Sequence, residues 1–270
     1  MPTNIEDVLR NRLKDKLARG EVAASMIVRL TRSPEIAQIA ATAGFDSLYV
    51  DLEHASFSLE TTGAICTAAL ATGITPLVRV PGVAEVSRVL DAGALGVIAP
   101  HVHTAAQARD YVTAAKFPPL GERSAAGALP HLQYRAFPAA QADAAMNTAT
   151  MVVVQFESEE ALRNAEAIVA VDGVDMVLIG SNDMLASFGL AGQYEHPRLR
   201  EAFARTIEVC RRQSKPDNPK HVGVGGLSSR PDLAAQFVKM GARYVSTGTD
   251  LSFLLAACTA KAKEVHGMAP

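Results

Sequence analysis

Apolar and polar residues follow two different periods along this chain. Short runs rich in Val, Ile and Leu have the length of buried strands, and Ala- and Leu-rich segments of helical period separate them. This order predicts strand–helix units around a parallel sheet. The predicted strands lie near residues 24–30, 46–51, 75–80, 95–100, 150–156, 174–180, 221–225 and 243–247. Eight such units predict an α/β fold, a closed (β/α)8 barrel of the TIM type.

The linking segments carry recognisable helix ends. Ser33 is placed to cap a helix that begins at Pro34-Glu35, and Gly44 is placed to end it. Residues 1–21 have a charged amphipathic pattern, which predicts an additional N-terminal helix outside the repeated units.

The pattern breaks between the fourth and fifth predicted strands. A Gly-, Ala- and Pro-rich loop runs from about residue 117 to residue 143. Because a loop of this length in a compact domain is usually functional or disordered, we expect it to cover part of the barrel mouth or to contact a neighbouring subunit. Since no linker or internal repeat divides the chain, residues 1–270 are predicted to form one barrel domain.

Charge and cysteine usage narrow the range of partners. The 26 basic and 28 acidic side chains give a formal net charge of −2, which favours small-molecule partners over nucleic acid or an anionic membrane. No apolar run approaches the ~18 residues of a membrane span, and no secretion signal is evident, so we expect a cytoplasmic protein. The widely spaced Cys66, Cys210 and Cys258 are predicted to be reduced thiols in the core.

Charged and polar residues stand where four of the predicted strands end, which is the position of active sites in such barrels. The second strand ends in Asp51-Leu52-Glu53-His54, the third in Arg79 and the fifth in Gln155-Phe156-Glu157, and the sixth leads to Asp183. Each residue has a structural alternative, because carboxylates cap helices and an arginine can be a buried ion-pair partner. Four strand ends with the same feature favour a functional site, since an uncompensated buried charge is costly.

These side chains suit one kind of chemistry. Glu157 and Asp183 are hard oxygen ligands of the type that binds Mg²⁺ or Mn²⁺ and leaves positions for water or substrate. Arg79 can hold a carboxylate or an enolate oxygen, and His54, three residues after Asp51, can transfer protons near neutral pH. Together they indicate an enzyme that forms an enolate.

The other histidines and two glycine-containing strand ends are weaker signals. His101 and His103 can face the mouth, although a histidine pair without a third ligand is weak evidence for zinc. His131, in the long loop, can reach a substrate. Residues 223–226 and 246–250 are compatible with a phosphate site, a carboxylate site or ordinary turns. The remaining histidines are interpreted as two surface residues and the first residue of a strand, namely His196, His266 and His221.

A set of short motifs extends from about residue 22 to residue 258. These motifs are Gly44-Phe45-Asp46, Val50-Asp51-Leu52-Glu53-His54-Ala55, Val78-Arg79-Val80-Pro81, Leu90-Asp91-Ala92-Gly93-Ala94, Pro118-Pro119-Leu120-Gly121-Glu122-Arg123-Ser124, Gln155-Phe156-Glu157 and Ile179-Gly180-Ser181-Asn182-Asp183-Met184. Their combination resembles the HpcH/HpaI aldolase family, the metal-dependent pyruvate aldolases that include 4-hydroxy-2-oxoheptanedioate and 2-keto-3-deoxy-sugar-acid aldolases.

The resemblance implies a barrel of the phosphoenolpyruvate/pyruvate type, assembled as a homohexamer of dimers that exchange their last helix. It implies Mg²⁺, Mn²⁺ or Co²⁺ bound by Glu157 and Asp183 and chelated by pyruvate. Arg79 would hold the keto or enolate oxygen, and His54 with Asp51 would form an acid–base dyad. Further substrate contacts would come from Gln155, Ser181, Asn182 and Arg123.

The predicted reaction is reversible cleavage of a 4-hydroxy-2-oxo acid to pyruvate, or a close 2-oxo acid, and an aldehyde through a metal-stabilised enolate. Two alternatives use the same enolate, namely decarboxylation of oxaloacetate and carbon–carbon bond formation in the manner of macrophomate synthase. A third alternative is a noncatalytic barrel that binds a metal–oxoacid complex. The apolar segment 251–258 can bury against a partner subunit or cover its own barrel.

Overall fold

The computed structural model describes residues 4–268, so residues 1–3 of the predicted N-terminal helix lie outside the described part. Eight parallel strands pair in sequence order and close into a barrel, β1 pairing with β8. The predicted (β/α)8 fold is thereby confirmed. The strands are β1 (Ala23–Val28), β2 (Ser47–Asp51), β3 (Thr75–Arg79), β4 (Gly96–Ala99), β5 (Met151–Phe156), β6 (Met176–Gly180), β7 (His221–Gly225) and β8 (Tyr244–Ser246).

Helices surround the strands because their apolar faces pack on the outer side of the barrel. The helices are α1 (Arg12–Ala18), α2 (Glu35–Thr42), α3 (Leu59–Thr72), α4 (Val86–Asp91), α5 (Ala105–Ala115), α6 (Ala139–Ala149), α7 (Glu159–Arg163), α8 (Ala165–Val169), α9 (Ser181–Ser187), α10 (Pro197–Gln213), α11 (Pro231–Met240) and α12 (Asp250–His266). Short 3-10 turns occupy Ile5–Asp7, Val83–Glu85 and Pro130–Leu132.

One predicted helix cap differs from the observed one. The N-cap residue of α2 is Pro34, which makes no side-chain cap, and the Ser33 hydroxyl bonds the Glu35 carboxylate instead of a backbone N–H. The predicted end is correct, because Gly44 follows the helix with φ +88°, a conformation that residues with a Cβ rarely adopt.

The N-terminal segment closes the bottom of the barrel. Within residues 4–21 the predicted long helix is shorter than expected, since a 3-10 turn and the seven residues of α1 take its place. Leu13 and Leu17 of α1 are buried against the interior residues of the strands, and each contributes about 1.5–3 kcal/mol by burial. The interior is therefore filled at this end.

The long loop does not cover the mouth of its own barrel. Phe117, Leu129 and Leu132 pack with Ile5 and Leu9 of the N-terminal segment. No residue of the 117–143 segment lines the cavity at the carboxyl ends of the strands. Contact with a neighbouring subunit stays a prediction for this loop.

Helix α12 contacts its own chain through its first turn, where the Phe253 and Phe45 rings lie 6.0 Å apart, and most of its other residues are exposed. Among its residues only Asp250 is buried, whereas Leu251, Leu254 and Leu255 are 50%, 55% and 63% exposed. Beyond its first turn, the helix therefore leaves its apolar side chains uncovered by its own barrel. Cys258 on this helix is exposed, which corrects its prediction as a core thiol, while Cys66 and Cys210 are buried as predicted. In the described residues, 4–268, no helix has both the length and the apolar character that crossing a membrane requires.

Candidate active site

A cavity of about 460 Å³ opens at the carboxyl ends of the strands. Side chains at or beyond the ends of seven strands line it, and six residues predicted for the site are among them: His54, Arg79, Gln155, Glu157, Asn182 and Asp183. Asp51 and Ser181 lie just behind the wall and are fully buried. The volume suits a small organic acid.

Asp51 and Arg79 form a buried ion pair across adjacent strands. They are register partners in β2 and β3. The Arg79 Nε and Nη2 atoms donate to the two oxygens of Asp51 at 2.9 and 2.6 Å, and Nη1 lies 2.8 Å from Glu53 Oε2. Burial opposes ionisation of both groups, yet the pairing lowers the pKa of Asp51 and raises the pKa of Arg79. The guanidinium is thus held charged in one orientation at the cavity wall.

Asp51 does not orient the His54 imidazole as the predicted dyad requires. Its Oδ1 accepts the backbone N–H of His54 at 3.3 Å, while its Oδ2 accepts Arg29 Nε at 2.6 Å. The His54 side chain is 55% exposed, with Nε2 3.9 Å from Glu53 Oε2. The Asp51 carboxylate is already hydrogen-bonded by Arg29 and Arg79. In the turn after β2, His54 bonds this carboxylate through its backbone N–H and not through its imidazole. The imidazole nevertheless lines the cavity.

Glu157 and Asp183 bring two carboxylates to the same cavity. Glu157 is 5% exposed, and its oxygens accept Gln155 Nε2 at 3.1 Å and the His101 backbone N–H at 3.2 Å. Burial raises the pKa of Glu157, and the negative charge of Asp183 adds to this effect. Within residues 4–268 no lysine or arginine pairs with either carboxylate. A Cβ on Gly180 would lie 2.8 Å from Glu157 Oε1, so glycine there gives the carboxylate its room.

This donor set fits a divalent cation. Two hard oxygen ligands of like charge, one of them buried, are stabilised by a cation between them. No group of three His, Cys, Asp or Glu side chains in the described range is arranged to hold a metal, so water or substrate would supply the other ligands.

Two buried polar atoms beside the carboxylates lack a protein partner. Gln155 Oε1 and Ser181 Oγ make no hydrogen bond to a described residue. Asn182 is engaged, since its Oδ1 accepts the Tyr194 hydroxyl at 2.7 Å. Because buried polar atoms are rarely left unbonded, the Oε1 of the cavity-lining Gln155 indicates a hydrogen-bond donor, a water or a ligand, in this part of the cavity.

Arg123 lies outside the cavity, which corrects its prediction as a substrate contact. It is a buried residue of the long loop, where Nη2 donates to Asp91 Oδ1 at 2.6 Å and the guanidinium lies over the Phe117 ring at 4.7 Å. The physical reason is local, because the Arg123 N–H bonds the carbonyl of Lys116 and turns the chain back against α5.

Comparison with known proteins decides the family. The family model described as HpcH/HpaI aldolase/citrate lyase matches residues 25–257. The chain belongs to the HpcH/HpaI aldolase/citrate lyase family. This confirms the predicted family and the predicted enzyme class, a carbon–carbon lyase.

Three relatives of this HpcH/HpaI chain illustrate the similarity. A 4-hydroxy-4-methyl-2-oxoglutarate aldolase of Hapsidospora irregularis is 39% identical over 90% of each chain. A 2-keto-3-deoxy-L-rhamnonate aldolase of Escherichia coli O17:K52:H18 is 34% identical over 90% of this chain and 88% of its own. The crystal structure of an HpcH/HpaI aldolase from Desulfitobacterium hafniense is 30% identical, with a TM-score of 0.86 over 96% of this chain and 97% of its own.

Some residues in or beside this HpcH/HpaI cavity were missed from the sequence or were only weak candidates. Arg29 lines the cavity directly after β1. A charge at a strand end is the sequence feature that could have identified it, but the predicted strand 24–30 placed Arg29 inside the strand. His101 was a weak candidate, yet its Nε2 lies 2.8 Å from Glu53 Oε1 and its Nδ1 lies 3.2 Å from Glu157 Oε2. Tyr194 enters from a loop far along the chain, where no strand pattern points to it.

Four other histidines lie away from the cavity. His103 Nδ1 is 2.8 Å from the Ser158 hydroxyl, His221 begins β7 as predicted, and His266 is exposed as predicted. His196 is half-buried and caps α10, its Nδ1 accepting the Arg198 N–H at 3.3 Å. None of the four lines the cavity.

His131 is a structural residue, which corrects its prediction as a possible substrate contact. It is 2% exposed, and its Nε2 donates to the Ala94 carbonyl at 2.8 Å while Nδ1 has no partner among the described residues. Burial lowers the pKa of His131 from 6.5 to about 4. The folded protein therefore resists its protonation.

We expect His131 to make the fold sensitive to acid. Between pH 6.5 and 4 the unfolded chain binds the proton more readily, so the stability contributed by neutral His131 falls as pH drops through this window. The full loss is about 3 kcal/mol for this one group. Urea unfolding of the wild type and His131→Gln at pH 7 and pH 4 measures it, and the variant should lose less. His221, whose pKa burial also lowers to about 4, titrates in both proteins and cancels in the difference. Equal losses in both proteins would contradict the assignment.

Proposed function

We propose that this chain is a divalent-metal-dependent aldolase that reversibly cleaves a 4-hydroxy-2-oxo acid to pyruvate, or a close 2-oxo acid, and an aldehyde. The observation that carries the proposal is the convergence of Glu157 and Asp183 with the fixed guanidinium of Arg79 around one cavity. The names of the relatives support the reaction class but differ in the substrate.

Glu157 and Asp183 would hold the cation, with Mg²⁺, Mn²⁺ or Co²⁺ as the candidates. Such an ion supplies Lewis acidity toward the 2-oxo group of the substrate. The rest of the chemistry belongs to the side chains of this chain. The Ser181 hydroxyl would donate to the 2-oxo acid end of the substrate, and Gln155 Oε1 would accept a hydrogen bond from a water or hydroxyl beside it.

Arg79 would stabilise the charge that develops on cleavage. Breaking the C3–C4 bond leaves its electron pair on the three-carbon fragment as an enolate, whose oxygen needs a positive donor. Asp51 and Glu53 hold the guanidinium charged and fixed in orientation before substrate arrives. The arginine therefore needs little reorganisation during the reaction.

His54 would transfer the proton. Its imidazole lines the cavity and is partly exposed, so it can take the proton of the C4 hydroxyl, directly or through a water. Loss of that proton converts C4 into the carbonyl carbon of the aldehyde. Delivery of a proton to C3 of the enolate then completes pyruvate.

Release of pyruvate tests this function. The purified chain is stripped with a chelator and assayed on several 4-hydroxy-2-oxo acids, with and without Mn²⁺. We expect Mn²⁺-dependent production of pyruvate together with an aldehyde in equal amounts. Turnover of oxaloacetate without any aldehyde product would support the decarboxylase alternative. Absence of turnover on every compound would support the noncatalytic one.

We also propose that the chain forms a homohexamer in the cytoplasm, built from dimers that exchange α12. The exposed leucines of this helix support an exchange, because a row of apolar side chains of this size is costly in water. A partner's barrel would bury them.

Introducing a charge on this face should prevent assembly. Leu255→Glu places a carboxylate where the partner subunit would contact α12, and we expect a monomer by light scattering coupled to size exclusion. Ala260→Glu is the matched control, because residue 260 is about 140° around the helix from residue 255. Its assembly should match the wild type. A Leu255→Glu protein of unchanged mass would argue against the exchange.

A further inference from the structure

Arg29 is a cationic side chain of the cavity that the proposed reaction does not use. It follows β1 directly, lines the cavity, and its side chain is 36% exposed. Its Nε donates to Asp51 Oδ2 at 2.6 Å. The two Nη groups make no hydrogen bond to any residue between 4 and 268. Four N–H donors are therefore available to a ligand.

The backbone that carries Arg29 is fixed by a second buried carboxylate. Asp250, the first residue of α12, accepts the N–H groups of Arg29, Leu30 and Thr31 at 3.0, 3.1 and 2.7 Å. Burial opposes its ionisation, but these amide hydrogen bonds lower the pKa of Asp250. The strand end is thus ordered before substrate binds, as expected for a built binding site.

Several hydroxyl-bearing residues line the same cavity as Arg29. They are Ser228 and Ser229 after β7, Ser246 at the end of β8 and Thr249 after β8. Ser246 is 1% exposed, and its Oγ has no hydrogen-bond partner in the described chain. A guanidinium with free N–H groups and an unbonded hydroxyl in one cavity are groups that recognise a carboxylate.

The two ends of the cavity carry side chains of opposite charge. The carboxylates Glu157 and Asp183 stand at β5 and β6, whereas Arg29 stands at β1, across the barrel from them. With the 2-oxo acid end at the β5–β6 side, the far end of the substrate reaches the β8–β1 side. That end becomes the carbonyl product.

We propose that Arg29, with Ser246 and its neighbouring hydroxyls, binds a second carboxylate on the C4 side of the substrate. The substrate class is then 4-hydroxy-2-oxo dicarboxylic acids, and the carbonyl product is itself an oxo acid. This inference rests on the proposed aldolase function and selects among its substrates.

A matched pair of substrates tests the proposal. 4-Hydroxy-2-oxoglutarate and 4-hydroxy-2-oxopentanoate differ only in a carboxylate against a methyl group beyond C4. We expect the wild type with Mn²⁺ to favour the dicarboxylate by about 10- to 100-fold in kcat/KM, as for a charged hydrogen-bonded pair. Arg29→Gln should remove this preference mainly by raising KM for the dicarboxylate, and Arg29→Lys should restore part of it.

The ratio of the two kcat/KM values is the decisive quantity. Because Arg29 also bonds Asp51, its loss can slow both substrates, but a merely structural role would leave the ratio unchanged. Arg32→Gln is the control, since Arg32 bonds Ser56 on the surface and does not line the cavity. An unchanged ratio in Arg29→Gln, or no preference in the wild type, overturns the subsite while the aldolase function stands. Absence of pyruvate from both substrates overturns the function and the subsite together.

Discussion

Replacing Glu157 with glutamine or Asp183 with asparagine lowers kcat/KM by about a thousandfold or more, measured as pyruvate release at saturating Mn²⁺. Each change removes one of two carboxylates that face the same cavity without a lysine or arginine partner in the described chain. Loss of the cation removes several kcal/mol of stabilisation from the developing charge, and about 4 kcal/mol corresponds to a thousandfold. Calorimetric titration with Mn²⁺ should show binding weakened in parallel.

Stability distinguishes this effect from simple damage to the fold. In the presence of a chelator, Glu157→Gln should unfold at the same temperature as the wild type or higher, because it removes a buried charge whose pKa is raised by burial and by Asp183. Glu159→Gln is the control, since Glu159 pairs with Arg198 on the surface, outside the cavity. It should retain activity. Full activity of chelator-treated Glu157→Gln would remove the basis of the proposed function.

The barrel could be predicted from sequence because its determinants are local and periodic. Each of the eight predicted strands overlaps an observed one, since buried strands of a parallel sheet are short continuous apolar runs. Carboxyl ends of such strands converge on one face, so charged residues there were sound candidates. Six of the predicted site residues, charged and uncharged polar ones together, do line the cavity, Arg79 and Glu157 included.

The partners of each side chain could not be predicted from sequence. Asp51 and His54 are three residues apart, but β1 brings Arg29 and β3 brings Arg79 to the same carboxylate. Pairing between strands depends on register, which spacing along one strand does not contain. Arg123 was misplaced for a related reason, because a turn at Lys116 directs it toward Asp91.

The exposed face of α12 illustrates a different limit. An apolar helix after the last strand is compatible with two arrangements, one against its own barrel and one against a partner. Its sequence is the same in both, so only the path of the chain after Asp250 separates them. That residue also anchors the β1 end that carries Arg29, which links the start of α12 to the cavity.

Replacing Asp51 with asparagine should have the largest effect on stability of any single change at the mouth. Asp51 is fully buried and receives N–H groups from both Arg79 and Arg29. Removing one member of a buried ion pair leaves uncompensated charge, which lowers the free energy of unfolding by about 3–5 kcal/mol. We also expect kcat/KM to fall by at least about a hundredfold, because Arg79 loses the partner that sets its orientation.

Asp46→Asn provides the matched control for this prediction. Asp46 precedes the same strand at its opposite end, where it pairs with Lys16 at 2.7 Å and is 23% exposed. A pair open to solvent contributes about 1 kcal/mol or less, so this variant should be nearly as stable as the wild type and fully active. Asp51→Asn and Asp46→Asn therefore remove the same group from the two ends of β2. Asp51→Asn could instead keep wild-type stability and change only the step of the pH–rate profile that reports the His54 imidazole. In that case Asp51 would act by orienting His54. A large loss of stability and activity together would instead establish Asp51 as the anchor of the two arginines.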